Sequence, residues 1–452
     1  MPILNRARLK RLIQEEIQRF QQEHPKSNEL YLRARQSMQG GVPMLWMIRW
    51  PGSFPIFVKN ARGAHFEDVD GHSYIDFCLG DTGAMTGHSP VESVEAIRNQ
   101  VGNGITLMLP MEDAIWVGEE LQRRFGLKFW QFTLTATDAN RFAIRMARHI
   151  TGRPKILVFN YCYHGSVDET FITLDEKGLP GPRSGNLGPP INPIETSRVV
   201  EFNDIPALEE ALIHGDVAAV LAEPVMTNIG IIHPQPGYHD ALRKLTRKYG
   251  SCLIIDETHT ICTSPGGYTG KFGLDPDFLT CGKPLASGIP AGVYGFTQQV
   301  ADAFWARIQH DESDVGGVGG TLAGNALSIA AIRATLEHVL TQAMYDRCEA
   351  LADHYEQGIL DCISDYELPW IVKRLGFRVE YWFCETAPIN GGEANAAVDS
   401  DLDRFMHLWA LNRGILMTPF HNMALIAADT TEEDIEYHTR IFREAVQTLI
   451  AE

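Results

Sequence analysis

The chain runs to 452 residues, of which 44% are hydrophobic and 21% charged; that is material for two or three folded domains and excludes wholesale disorder. Its 39 Lys and Arg face 57 Asp and Glu, a formal charge of −18 at pH 7. This balance argues against a protein that wraps nucleic acid or rides on a membrane surface, since both partners are polyanions.

Between residues 5 and 20, Leu9, Leu12, Ile13, Ile17 and Phe20 recur at helical spacing among Arg6, Arg8, Lys10, Arg11 and Arg19, which predicts an amphipathic helix. The segment lacks the continuous apolar stretch of a secretory signal, and Glu15 and Glu16 count against a mitochondrial presequence. No stretch approaches the ~20 apolar residues of a membrane span, so a soluble, cytoplasmic protein is expected. Four short apolar runs, at 155–159, 217–222, 252–255 and 293–296, read as buried strands, and helical patterns at 139–150 and 238–249 separate several of them. Buried strands alternating with amphipathic helices predict an α/β domain with a mostly parallel sheet and a ligand crevice at the carboxyl ends of its strands. Residues 178–197 are rich in Gly and Pro and read as a long surface loop, 316–320 as a second loop, and 326–340 as a long helix. The expected organisation is an N-terminal segment, 1–73, packing with a C-terminal small domain, 326–452, beside a large domain, 74–325. Of the eight cysteines none forms a Cys-x-x-Cys pair and several lie in apolar runs, so reduced thiols are expected.

The run 252–255 delivers Asp256 and Glu257 to a strand's carboxyl end. Asp277 to Cys281 reads as another short strand that delivers Gly282-Lys283-Pro284, after a span long enough for a crossover between neighbouring parallel strands. An acid and an amine then face one crevice; a plain salt bridge at the sheet edge is the simpler meaning of the same pair. Ahead of the helix at 139–150, Thr135 or Thr137 can cap the helix start, whose outward N–H groups and dipole also suit a phosphate. After the run 155–159, Tyr163 can stack on a flat ring and His164 can hydrogen-bond to it, or the pair can simply close a turn. Glu223 follows a further strand, where capping, ion pairing or ligand contact are all open. No His-Glu-x-x-His occurs, and His65, His72 and His233 read as isolated turn or surface residues, so no metal is expected. Basic and aromatic residues do not interleave as in a nucleic-acid binder. The glycines at 316–320 do not satisfy G-x-G-x-x-G, and Gly270-Lys271 is followed by Phe272, which disfavours a dinucleotide or P-loop site.

Asp256-Glu257, Gly282-Lys283 and Gly320-Thr321-Leu322-Ala323-Gly324-Asn325, supported by Asp68-Val69-Asp70-Gly71, Gly87-His88, Tyr163-His164-Gly165 and Glu223-Pro224, together resemble the class III aminotransferases. The resemblance runs from about Gly40 to Thr439 and is most similar to the glutamate-1-semialdehyde aminomutase-like branch and its omega-transaminase relatives. It implies a PLP-dependent transferase of fold type I: α/β, with a mostly parallel central sheet and a smaller α+β domain formed by the N- and C-terminal parts. By the same resemblance Lys283 carries pyridoxal 5′-phosphate (PLP) as a Schiff base and shuttles a proton, while Asp256 keeps the pyridine nitrogen protonated. Tyr163 stacks on the ring and Thr258 occupies its other face; His164, Glu223 and His259 complete the surroundings. Thr135, Ala136 and Thr137 correspond to the family's Ser-Gly-Thr phosphate cup, and Thr321 reaches the phosphate of a partner subunit, making a homodimer with shared active sites. The chain departs from the family in Ala136 for Gly, Asp138 for Glu, Thr258 for Val and His259 for a smaller residue; alanine accepts less strain and less close approach than glycine.

The expected activity is transfer of an amino group from an amine or amino acid, including bulky, aryl or β-amino donors, to a keto acid or aldehyde. Aminomutase, lyase or racemase chemistry is the alternative, since all share Lys283 and Asp256; those two residues disfavour a non-catalytic scaffold. Many class III transaminases of α-amino or keto acids bind carboxylate through a C-terminal arginine, yet none lies here between Arg413 and Arg440. With the apolar stretch from Val42 to Trp50, this points to an apolar substrate pocket. Trp46 and Met47 are expected nearest the substrate, Met85 and Phe420 as further walls, and Arg49 as the contact for a keto-acid carboxylate. Core packing or a dimer interface is the plainer meaning of the same stretch.

Overall fold

Seven segments assemble into one sheet in the computed structural model, which describes residues 5–187, 192–308, 315–419 and 421–451. They are β1 (Phe129–Thr133), β2 (Lys155–Phe159), β3 (Ser197–Val200), β4 (Val217–Ala222), β5 (Cys252–Asp256), β6 (Phe278–Cys281) and β7 (Gly292–Phe296). The spatial order is β1-β7-β6-β5-β4-β2-β3. Only β7 runs antiparallel to its neighbours; the others are parallel, so their carboxyl ends share one edge. Every residue of β4, β5, β6 and β7 is buried, which is why these strands read as continuous apolar runs rather than alternating ones.

Helix α1 (Ala136–Thr151) follows β1 directly and ends at Gly152, whose φ of 71° suits a glycine cap. Its buried face carries Ala139, Ala143, Met146 and Ala147, packed in one cluster with Ile156, Val158, Ile254 and Tyr294. The alanines at i, i+4 and i+8 bring the helix close to the sheet, and each fully buried aliphatic chain around them contributes roughly 1.5–3 kcal/mol.

Two expectations are corrected. The stretch 178–197 is not a single loop: Pro180–Pro182 pairs antiparallel with Ile172–Leu174, Pro193–Glu195 forms a 3-10 turn, and Ser197 opens β3, while 188–191 fall outside the described residues. A two-stranded pairing tolerates these prolines because one side of each strand needs no donor. The helix expected over 326–340 is α-helical only over Ala326–Ala334 and widens into a π turn over Thr335–Val339. There the buried Thr335 hydroxyl donates to the Ala331 carbonyl at 2.7 Å and meets Ser287 Oγ at 2.8 Å, a hydroxyl insertion of the kind that loosens helical spacing.

The chain divides into two compact units, each with its own packing. The unit of Val91–Tyr345 with Pro388–Ala396 holds the seven-stranded sheet, and helix Ala326–Ala334 belongs to it through its packing on Val91–Val101. The other unit comprises Met1–Pro90, Asp346–Ala387 and Ala397–Glu452. In it Ser73–Asp76 pairs with both His65–Asp68 and Ile415–Leu416, so chain on both sides of Ser73 is bound together. Helix Arg6–Glu23 buries Leu9, Leu12, Ile13 and Phe20, and its Glu16 accepts from both Nη atoms of Arg413 at 3.0 Å. All eight cysteines are thiols, seven of them buried. Among the described residues no helix is long and apolar enough to cross a membrane.

Candidate active site

At the end of β5 Asp256 is buried, 3% exposed, and both of its carboxylate oxygens accept hydrogen bonds. Oδ2 accepts from His164 Nδ1 at 2.9 Å and from Asn140 Nδ2 at 2.8 Å; Oδ1 accepts from the Thr258 amide at 3.0 Å. Burial opposes the charge, but the His164 hydrogen bond and its positive charge outweigh it and hold the carboxyl below its ordinary range. His164 is buried as well; burial disfavours its imidazolium, yet the bond to Asp256 holds it above the ordinary imidazole range. Asn140 locks this pair from α1: its amide also donates to the His164 carbonyl at 3.1 Å, and its oxygen accepts from Thr280 Oγ1 on β6 at 2.6 Å. Sequence reasoning missed Asn140. The available signal was an amide on the helix face otherwise made of Ala139, Ala143 and Met146.

Thr280 stands in register with Asp256, so the residues after β6 emerge beside it. Lys283 has φ of 39°, in the left-handed region that a non-glycine residue adopts at a cost, and its Nζ lies 2.8 Å from His259 Nε2. The ammonium and the carboxylate are thus engaged by different partners, His259 for one and the His164–Asn140 pair for the other. Thr258 is buried and its Oγ1 has no hydrogen-bond partner; His164 Nε2 is likewise unpartnered.

The start of α1 settles which threonine caps it. Thr135 is the N-cap, with Oγ1 accepting from the Asp138 amide at 3.2 Å and donating to Asp138 Oδ2 at 3.1 Å. Thr137 Oγ1 accepts from the Ser166 amide at 3.1 Å. The first-turn amides of Ala136 and Thr137 have no acceptor within the helix and carry its positive dipole end. Glycines back this turn closely: a Cβ on Gly282 would lie 2.8 Å from the Ala136 nitrogen, one on Gly165 2.9 Å from Thr137 Cα, and one on Gly292 2.5 Å from the Thr135 carbonyl oxygen. The methyl of Ala136 is accommodated because Gly282, directly before Lys283, has no side chain.

Glu223, at the end of β4, accepts from the Thr227 hydroxyl, and burial pushes its carboxyl up to about 7 against the pull of His164 and Thr227. Tyr163 is half-buried, its ring edge-on to Phe171 at 6.4 Å. Glu257 serves the backbone instead: it accepts from the Tyr268 and Thr269 amides at 3.0 and 2.5 Å and from Thr260 Oγ1 at 2.5 Å, clamping the chain that follows β5. Thr321 is exposed on the turn before helix Ala326–Ala334.

The expected substrate residues belong to the other compact unit. Trp46 and Met47 lie in a 3-10 turn, Leu45–Ile48, and both are exposed, as is Arg49; Met85 is fully buried. Phe420 lies outside the described residues.

Phosphate-suited amides, an ionised carboxylate, an amine on a strained backbone and two buried polar atoms without partners form a donor set that fits a flat anionic cofactor such as PLP. The family description "Aminotransferase class-III" matches residues 47–446. The glutamate-1-semialdehyde 2,1-aminomutase of Desulfitobacterium hafniense is 31% identical over 436 residues, 94% of this chain and 98% of that protein. A crystal structure of a glutamate-1-semialdehyde-aminomutase from Pseudomonas aeruginosa is 48% identical with a TM-score of 0.97, covering 99% of each chain; a lysine-to-alanine variant of it was solved in complex with PMP. An omega-transaminase from Sphaerobacter thermophilus is 27% identical with a TM-score of 0.84, covering 94% of this chain and 97% of that one.

The raised His164 pKa and depressed Asp256 pKa fix a pH window. Their contribution to stability is complete between roughly pH 4 and 6.5; it fades below as pH falls through the depressed Asp256 value and above as pH climbs through the raised His164 value. In cofactor-free protein, nitrogen-15 imidazole shifts assigned with a His164→Gln control are expected to show His164 still protonated at about pH 8. A midpoint near the ordinary ~6.5 would contradict the ion pair.

Proposed function

Because this chain belongs to the class-III aminotransferase family, we propose that it moves an amino group between two carbons of one small molecule, as an aminomutase of the glutamate-1-semialdehyde kind. The observation behind this choice is the near-complete likeness to proteins named as such aminomutases, 48% identical in one case. It reverses the order expected from sequence, which put a transaminase with a separate keto acid first.

The cofactor is pyridoxal 5′-phosphate. When bound, PLP takes up and returns the amino group and draws electrons from the carbon that bears it. Lys283 anchors it and, when released, moves a proton at Nζ, with His259 Nε2 positioned to hold that amine in place. Asp256, kept ionised by His164 and Asn140, holds the proton on the ring nitrogen. The amides of Ala136 and Thr137 bind the phosphate, and Tyr163 and Thr258 bracket the ring. The overall change balances within one substrate: the amino group leaves C2, which becomes a ketone, and arrives at C1, whose aldehyde carbon becomes an aminomethylene. No outside acceptor is consumed.

A second reading, a transaminase for bulky apolar amines, is favoured by the exposed apolar stretch Met44, Leu45, Trp46, Met47 and Ile48 and by the lack of arginine between Arg413 and Arg440. In that reading the exposed Trp46 and Met47 are the candidates for substrate contact and Arg49 for the acceptor carboxylate. The two separate cleanly. Cofactor-loaded protein given glutamate 1-semialdehyde alone is expected to yield 5-amino-4-oxopentanoate. Inertness toward the semialdehyde, with ketone formed from an aryl-alkyl amine plus pyruvate, would overturn the aminomutase in favour of the transaminase.

The working unit in this reading is a homodimer with shared sites. Its support is surface chemistry: Leu107, Met108 and Leu109 are 53%, 76% and 72% exposed and Leu322, next to Thr321, is 50% exposed, apolar surface that a partner subunit can cover. Thr321 then reaches the partner's phosphate. Co-expressed Lys283→Ala and Thr321→Ala chains, shown to form hybrids, are expected to regain activity through the one site free of both changes. Hybrids with no recovery would contradict sharing.

A further inference from the structure

In the unit that contains the N-terminus, three ligating side chains converge: His24, Asp68 and His72. His24 sits at the junction of helices Arg6–Glu23 and Pro25–Ala34, and Asp68 and His72 flank the turn between strands His65–Asp68 and Ser73–Asp76. Sequence spacing left His72 isolated; the fold brings His24 and Asp68 against it. The backbone on both sides is fixed beforehand. Asp70, in the same turn, accepts from the Lys26 and Ser27 amides at 2.7 and 3.0 Å, and Asp68 Oδ1 accepts from the Gly71 and His72 amides at 2.8 and 2.9 Å. That leaves Asp68 Oδ2 to face the histidines.

The proton count at this point is short. His24 Nδ1 lies 2.8 Å from the Phe20 carbonyl, an acceptor only, so Nδ1 carries the proton and neutral His24 presents a lone pair at Nε2. Nε2 is 2.8 Å from the Tyr74 hydroxyl oxygen and 3.5 Å from Asp68 Oδ2, and that hydroxyl is 2.9 Å from the same Oδ2. His24 Nε2, Asp68 Oδ2 and the Tyr74 oxygen therefore converge on the one hydroxyl proton, while His72 Nδ1, 3.1 Å from Oδ2, can serve that oxygen but not Nε2. Tyr74 donates that proton to Asp68 Oδ2. Tyr74, His24 and Asp68 are all at most 2% exposed, where an uncompensated lone-pair contact is costly. One more positive charge is needed at Nε2.

We propose that a divalent transition-metal ion of the zinc class supplies that charge, bound by His24 Nε2, His72 Nδ1 and Asp68 Oδ2 with the Tyr74 oxygen in reach as a fourth group. Imidazole and carboxylate are zinc's usual nitrogen and oxygen ligands, at about 2.0–2.2 Å, which puts tetrahedral ligand atoms about 3.3 Å apart. The observed His72–Asp68 and His24–Asp68 separations of 3.1 and 3.5 Å bracket that spacing. The Phe20 carbonyl is the outer hydrogen-bond partner that fixes the His24 tautomer. His72, with 40% of its side chain exposed, has room to turn its ring and to carry its own proton on the solvated nitrogen. With three protein ligands in place, the ion staples the N-terminal helix pair to the strand turn, a structural role separate from the reaction.

The test uses the full-length, PLP-loaded protein after chelator treatment and dialysis. Titration with Co²⁺ is expected to give a visible d–d band that saturates at one ion per chain and is displaced by Zn²⁺, and Zn²⁺ is expected to raise the melting temperature. His72→Ala, a change at a half-exposed position, is expected to weaken Zn²⁺ binding by more than the roughly 10–100-fold that losing an outer partner costs, with the PLP absorbance unchanged. His24→Gln serves as the second variant with the same expectation. Absence of the cobalt band, saturation below one ion per chain, or equal affinity in His72→Ala would overturn the proposal.

Discussion

A carboxylate kept ionised in a buried place is the constraint on which the rest of the site depends. Asp256 has almost no contact with water, so its charge survives only through the His164 imidazolium, the Asn140 amide and the Thr258 N–H. Removing one partner of such a pair typically costs about 3–5 kcal/mol, because the other charge is left buried alone. The fold meets this demand by drawing the partners from four places: α1, the turn after β2, the end of β5 and, through Thr280, β6. Parallel strands with their carboxyl ends on one edge make that convergence possible. In the proposed function this ready-made base would serve a PLP ring nitrogen.

The same edge holds the opposing chemical demand. Lys283 must leave β6 at a sharp angle, and its φ of 39° is a strained conformation, of order 1–3 kcal/mol. Gly282 before it gives way to the first turn of α1, so the lysine and the start of α1 are fixed by one contact. Changes there are coupled: the methyl at Ala136 is tolerated only opposite a residue without a side chain.

Much of this was legible in the sequence, for a physical reason. Strands buried on both faces are unbroken apolar runs, so β2 and β4 match their expected bounds, and the acid that ends β5 and the lysine that follows β6 stand out at once. What escaped notice is long-range or weakly patterned. Asn140 is one polar residue among alanines, and only the folded helix shows that it faces Asp256. Strand β3 hides behind a proline-rich stretch, and the π turn at Thr335 depends on hydroxyls from Ser93 and Ser287 far away in sequence. His24, Asp68 and His72 form no metal-ligand motif in the sequence, because a helix junction and a strand turn bring them together only in three dimensions. The proposed reading reverses the order of the two activities expected from sequence, which does not separate them because both would use the same lysine and aspartate and differ only in how a substrate is held.

The most direct test of the central claim, that Lys283 and Asp256 at neighbouring strand ends form the PLP site, is borohydride reduction of the holoenzyme followed by peptide mapping. A single phosphopyridoxyl group on Lys283, with loss of the visible absorbance, is the predicted result. Reduction that labels a different lysine, or none, would contradict it.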